Sequence, residues 1–278
     1  MTCAPNGYCV STAVVGQRPR REALAALAAS GFCNLELGDP DTLDSWGADP
    51  AGLRRDLEAL GLAPRSVHID SAAWDAANPD DALREAAVLA GLRSLRGAAE
   101  VGAEVVICHP NRPDPDPAAY STPQGIAASL ARTRASLERF AAEAAGLGLR
   151  LALENLPARG TPRPGATMGD LLRLIEGLGA HVGICQDVGH SNSNGLDAAA
   201  DCRAAQGHLF ALHLQDNDGL GEDQHLLPGE GTTAWRPFLQ ALEETGFQGL
   251  RTFEVKPWED LPAILAALVA IVKDWNGR

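Results

Sequence analysis

The segment from Leu209 to Gly231, LFALHLQDNDGLGEDQHLLPGEG, gathers two of the chain's seven histidines with three aspartates and two glutamates. It opens as an apolar run and closes as a glycine-rich loop. Other apolar runs also end in side chains able to do chemistry. NLELG ends with Glu36, SVHID with His68 and Asp70, VVICHP with His109, and LALENLP with Glu154. GICQDVGH carries Asp187 and His190, LFALHLQD carries His213, and LRTFEVK carries Glu254 and Lys256. Burying so many carboxylates together is costly unless cations neutralise them. Imidazole with carboxylate is the donor set of Zn2+, Mn2+ or Fe2+, and no run ends in the thiolates of a structural cysteine zinc site. His68, His109, His190, His213 and His225 all fall at or just after the ends of such runs. His181 and His208 open theirs, and are expected to be structural.

Positioning these residues takes a repeated scaffold. Eight short apolar runs cover residues 8–15, 32–38, 65–70, 104–110, 150–156, 181–188, 209–215 and 250–255. Each is bounded by Gly, Pro or Asp and reads as a strand. Amphipathic stretches lie between and after them, at 19–30, 50–60, 80–101, 125–147, 167–178, 196–206, 232–245 and 259–275. PRREALAALAASG shows the helix signals, with proline at its start and glycine just past its end. This alternation is the pattern of a single α/β domain over residues 1–278, a (β/α)8 TIM barrel, in which chemistry sits at the C-terminal ends of the strands. No GxGxxG follows the first strand, which disfavours a doubly wound dinucleotide fold. The longest loop-like segment, NRPDPDPAAYSTPQG at 111–125, is expected at the rim of the site.

Composition narrows the partners. The 278 residues carry a net charge of −13 and two lysines, Lys256 and Lys273. Nucleic acid is therefore disfavoured as a partner and a small molecule favoured. No apolar run reaches the ~20 residues of a membrane span. The N-terminal MTCAPNGYCV lacks the layout of a secretory signal, and the six cysteines form no CxxC pair. We expect reduced cysteines and a cytoplasmic protein. A homo-oligomer is left open.

In order along the chain, GFCNLELG, SVHID, VICHP, LENLP, QDVGH, HLQDNDG, DQHLLPGEG and FEV resemble the xylose isomerase-like TIM-barrel superfamily over almost the whole length. That superfamily includes sugar isomerases and epimerases as well as the endonuclease IV type of AP endonuclease (family 2). The resemblance to the epimerases implies one divalent ion, Zn2+ or Mn2+, held by Glu154, Asp187, His213 and Glu254. It also implies proton transfer beside a carbonyl, with Glu154 and Glu254 as acid and base and His190 polarising the substrate. Two positions depart from the tagatose and psicose type: Gly219 replaces an arginine and Gly160 a substrate-binding glutamate. The resemblance to endonuclease IV implies a cluster of up to three zinc ions. His68, His109, His190, Asp223 and His225 would then join the quartet as ligands.

Candidate substrate contacts are Glu36, expected on the rim, Trp74, Arg112, and Lys256, expected to face inward with Glu254. Arg159 and Arg163 are further cations near the site, Asn155 is expected to point away from it, and Trp46 and Trp74 are candidate lid, stacking or packing residues. The leading expectation is a metal-dependent isomerase or epimerase of a small sugar, sugar phosphate or related polyol. The alternative is an endonuclease IV-like metallohydrolase.

Overall fold

The computed structural model describes residues 7–38, 46–69, 75–112 and 117–277. Eight parallel strands close into a barrel in sequence order: β1 (Tyr8–Ser11), β2 (Asn34–Leu37), β3 (Ala63–His68), β4 (Val105–Cys108), β5 (Arg150–Glu154), β6 (Val182–Asp187), β7 (Leu209–Leu214) and β8 (Leu250–Phe253). The helices around it are α1 (Arg20–Ser30), α2 (Pro50–Leu60), α3 (Asp81–Val101), α4 (Pro123–Leu147), α5 (Met168–Ile175), α6 (Val188–Ser193), α7 (Ala198–Ala204), α8 (Trp235–Glu244) and α9 (Leu261–Asn276).

Side-chain alternation divides each strand between two cores. Leu151 and Leu153, like Leu212 and Leu214, face outward to pack under the helices. Val105, Ile107, Ala152, Cys185, Ala211 and Leu250 face inward and plug the barrel. Two residues beyond three of these plug residues stand Glu154, Asp187 and His213. The same period that buries Ala152, Cys185 and Ala211 thus lifts the polar groups to the top of the plug. Among the described residues no helix is long and apolar enough to cross a membrane.

The strands are shorter than the apolar runs. The first run ends as a strand at Ser11, whose hydroxyl accepts from Ala13 N, and Thr12–Val15 forms a 3₁₀ turn. After β6 comes a six-residue helix, α6, that the sequence pattern does not show. The cysteines are corrected too. Cys9, Cys108, Cys185 and Cys202 are free and buried as expected, but Cys33 is disulfide-bonded.

Candidate metal centre

Glu154 lies at the centre of the polar layer, fully buried. Its Oε2 is 3.0 Å from His68 Nε2 and 3.2 Å from His109 Nε2, and its Oε1 is 3.1 Å from His213 Nδ1. His213 Nδ1 is also 3.1 Å from Glu254 Oε2. Three groups have ligand atoms within 4.8 Å of one another: His68, Glu154 and His213; Glu154, Asp187, His213 and Glu254; and His190, Asp223 and His225. With His109 on Glu154, all nine candidate ligands converge on one centre.

The rings are aimed by groups outside the cluster. His68 Nδ1 lies 2.8 Å from Ile69 O, His190 Nδ1 2.7 Å from Asn155 O, and His225 Nδ1 2.8 Å from Glu254 O. A ring nitrogen facing a carbonyl must donate, so each Nε2 points into the cluster. His213 is turned the other way: its Nε2 lies 3.1 Å from Glu36 Oε1, leaving Nδ1 for the centre. Asp187 Oδ1 accepts from His190 N at 2.7 Å and from Gln215 Nε2 at 3.2 Å. Its Oδ2 is buried with no hydrogen-bond partner. A bare buried carboxylate oxygen among imidazoles and carboxylates fits a metal ligand, so the donor set suits a divalent ion.

Electrostatics agree with that fit. Burial disfavours charge on His68, but the hydrogen bond and charge of Glu154 outweigh it and raise the ring's pKa to about 9. Burial is likewise outweighed at His190, raised to about 9 chiefly by Asp187 and Asp223, and at His225, raised to about 10 chiefly by Asp223. Burial wins at His109, which is pushed down, and at Asp187, raised to about 7. Despite burial, the imidazoles of His213 and His109 hold Glu154 well below the carboxylate range, and His213 holds Glu254 at about 2. The carboxylate charge is balanced here by protons on imidazoles, which a metal ion would replace.

Loops carry the third donor group. Asp216 and Leu226 pair as an isolated antiparallel bridge that closes the loop bearing Asp223 and His225. Buried Asp216 latches it, accepting from Asn217 N, Gly229 N, Thr233 N and Trp235 Nε1 at 2.8–3.1 Å. Gln215 Nε2 reaches both Asp187 and Asp223, tying the loop group to the strand group. Gly189 is required beneath it, since a Cβ there would stand 2.1 Å from Gln215 Cδ. Asn155 faces away from the centre, as expected, and its amide pairs with the main chain of Asp187. Neither Gln215 nor Asp216 stands out in the sequence, because a buried amide and a loop latch have no spacing signature. The PGEG run after the loop is their one trace, for a Cβ on Gly231 would stand 2.4 Å from Asp216 Oδ1.

A cavity of about 460 Å3 opens over the centre, lined in part by His109, Glu154, Asp223, His225 and Glu254, with Arg112 at its wall. Two expected substrate contacts are placed elsewhere. Glu36 is not on the rim: it is fully buried beneath His213, with Ser66 Oγ donating to it at 2.8 Å. Lys256 does not face inward: β8 ends at Phe253, so alternation lapses and the side chain is exposed outside the cavity. Trp74 and Asp70 lie outside the described residues; Trp46 begins a 3₁₀ turn, Trp46–Ala48. His181 Nε2 bonds Ala141 O at 2.8 Å, and His208 is exposed, consistent with structural roles. Arg159 and His225 are the non-glycine residues with positive φ among those described, at 50° and 48°, and both line the cavity. Such backbone costs about 1 kcal/mol or more and collects at functional sites.

A family model for the xylose isomerase-like TIM barrel matches residues 24–270. The uncharacterised protein MJ1311 of Methanocaldococcus jannaschii is 27% identical over 197 residues, 70% of this chain and 65% of its own length. The chain therefore spans a little under two thirds of that relative. A probable endonuclease 4 of Chloroflexus aurantiacus is 27% identical over 227 residues, 74% of this chain and 76% of its own. The crystal structure of a D-tagatose 3-epimerase-like protein superimposes with a TM-score of 0.80 at 23% identity, covering 96% of this chain and 98% of that one. With strand order, polar layer and sequence model in agreement, the chain belongs to the xylose isomerase-like TIM barrel family.

Proposed function

We propose that the chain is a divalent-metal-dependent isomerase or epimerase that moves a proton beside the carbonyl of a small sugar, sugar phosphate or related polyol. The observation that carries this reading is the convergence of Glu154, Asp187, His213 and Glu254, of which Glu154 and Glu254 line a cavity of small-molecule size. The bound ion supplies Lewis-acid stabilisation of the charge that develops on the substrate oxygen. Glu154 and Glu254 come from β5 and β8, so they reach a substrate from different sides of the barrel. Both are held ionised at neutral pH, and either can remove the proton. His190, anchored through Nδ1, lines the cavity with its Nε2 3.1 Å from Asp223 Oδ2, and this pair is placed to orient a hydroxyl. Structural neighbours named as a D-tagatose 3-epimerase-like protein, a D-psicose 3-epimerase and an L-ribulose 3-epimerase support the same reading.

A second reading, a metallohydrolase with two or three zinc ions, is favoured by the separate His190–Asp223–His225 group and by the relatives named as probable endonuclease 4. Metal content of protein purified without added metal, together with solvent deuterium exchange into a panel of ketoses and ketose phosphates, distinguishes the two. One ion per chain, with exchange that disappears in Glu154→Gln, is the expected result. Two or three zinc ions with no exchange into any member of the panel would replace the isomerase by the hydrolase.

A further inference from the structure

Arg163 is a half-buried cation that makes no ion pair with a carboxylate among the described residues. Its Nε donates to Asn111 Oδ1 at 3.2 Å, its Nη1 to Pro157 O at 2.9 Å and its Nη2 to Asn111 O at 3.1 Å. All three acceptors are neutral. Asn111 is itself locked by donating to Pro164 O. A guanidinium carries five N–H groups, so one on each terminal nitrogen has no acceptor among the described residues. Arg159 lines the same cavity in left-handed backbone, and no ion pair among the described residues includes it. Elsewhere in this acidic chain arginines do find carboxylates, as Arg84 does with Asp81, Arg139 with Glu85 and Arg203 with Glu244. Burial, then the charge of Arg159, pushes the Arg163 pKa down to about 10 against the opposing pull of Glu154 and Asp223, and both arginines line the same cavity. A rigid fork beside a second cation, facing a cavity and unpaired, is arranged for an anion from outside.

We propose that Arg163 and Arg159, with Arg112 beside them, form an anion subsite on the β4–β5 side of the cavity that takes the phosphate of a phosphorylated small substrate. The proposal rests on the small-substrate reading above and narrows it to phosphomonoesters. Arg112 follows β4, and Arg159 and Arg163 follow β5, so the subsite flanks Glu154, with Arg159 also bordering Gly219–Glu222 of the loop bearing Asp223. A phosphate held there leaves the rest of the molecule to lie over the metal centre. A dianion with three acceptor oxygens matches several guanidiniums, whereas one carboxylate leaves most of their charge unbalanced.

The test is binding of glycerol 3-phosphate to the metal-loaded protein, measured by calorimetry, with glycerol and acetate as controls. Arg159→Gly removes a guanidinium at a φ that glycine accepts, and Arg163→Lys keeps the charge but loses the fork. Each is expected to weaken binding by about tenfold or more at unchanged metal content. Should Arg163→Lys fail to fold, Arg159→Gly decides. Unchanged affinity in Arg159→Gly would overturn the subsite, as would acetate binding as tightly as the phosphate ester. A short single-stranded oligonucleotide that outcompetes glycerol 3-phosphate and is weakened by the same variants would overturn the phosphomonoester in favour of a polynucleotide. The two readings fail separately. Arginine-dependent phosphate binding without deuterium exchange leaves the subsite and removes the isomerase; exchange without arginine dependence does the reverse.

Discussion

Seven of the nine donors fall into two halves with the same chemistry and different mechanical support. Glu154, Asp187, His213 and Glu254 sit at or just past strand ends and are at most 16% exposed. Strand register sets Glu154 beside Cys185, Asp187 beside His213 and His213 beside Thr252, and Glu254 N donates to Leu214 O, so the barrel itself fixes their separation. His190 rides on a six-residue helix, and Asp223 and His225 on a loop, with His225 28% exposed. That half is assembled by side-chain links: the Asp216 latch, the Gln215 bridge, and Nδ1 bonds to main-chain carbonyls. A ligand held by a strand is lost only with the fold, whereas one held by a latch can be released alone. The two halves should therefore fail independently.

The largest effect is expected from Asp187→Asn. Asparagine keeps an oxygen to cap α6, so the fold should survive. The quartet loses a charge and its bare Oδ2. Metal should leave the strand-borne half and activity fall by at least about 10²–10³-fold, read by metal analysis and isotope exchange. Full metal and activity in this variant would show that the strand-end quartet is misassigned.

Next comes Asp216→Ala. It strands four donors, three main-chain amides and the Trp235 indole, and should cost roughly 3 kcal/mol. Hydrogen exchange should rise across residues 217–231 while β5 to β8 stay protected. Any ion on His190, Asp223 and His225 should be lost first. Equal loss from both halves would show that they behave as one unit.

The same division explains what could be read in advance. His213, Glu154 and Asp187 were legible because a period of two, counted up from apolar plug residues, brings them to the strand tops. Glu36 lies on the same inward face but deeper, and the pairing of β2 with β3 shifts register between Leu35 and Glu36. Strand phase is visible in sequence; height in the barrel is set by the stagger between strands and is not. Lys256 was misplaced by extending alternation three residues past the last residue of β8. Asp223 and His225 were legible by type and spacing, but the latch that holds them was not, since its partners lie up to 19 residues apart through main-chain amides and an indole. The Cys33 disulfide was missed because cysteine spacing alone does not report pairing.

Glu36 provides a milder probe of the strand-borne half. It touches no described wall of the cavity, yet it sets which nitrogen of His213 faces the centre. Glu36→Gln keeps the volume and an oxygen to accept from His213 Nε2, but removes the charge that strengthens the ring as a donor. Metal affinity should drop by about 10–100-fold, with the loop-borne half unaffected. An unchanged metal dissociation constant would mean that Glu36 serves only to fill the barrel.

The smallest effect is a pH dependence of the metal-free protein, which tests how much of the alkaline loss the loop-side histidines carry. His190 at about 9 and His225 at about 10 stand above the ordinary 6.5, so folding favours their protonated rings. The stability they contribute is complete below about pH 6.5 and is lost as pH rises through 9 to 10. Asp187, raised to about 7, also favours its protonated form in the fold and adds to the loss as pH climbs towards 7. Glu154 and Glu254 are depressed, so their contribution is present above the ordinary 4.5 and is lost as pH falls below it. His190 and His225 thus share the alkaline limb with His68, raised to about 9, and with His213, raised well above its ordinary value, while the depressed Glu154, Glu254 and Asp223 set the acid one. Between pH 6.5 and 9.5 the metal-free Tm should fall by on the order of 5 °C. A bound ion replaces the protons on the imidazoles, so the loaded protein should stay nearly flat over this range. Metal uptake at neutral pH should also release protons into a weak buffer. In a variant lacking His190 and His225 the alkaline slope should shrink. A slope that persists undiminished would assign the alkaline limb to His68 and His213.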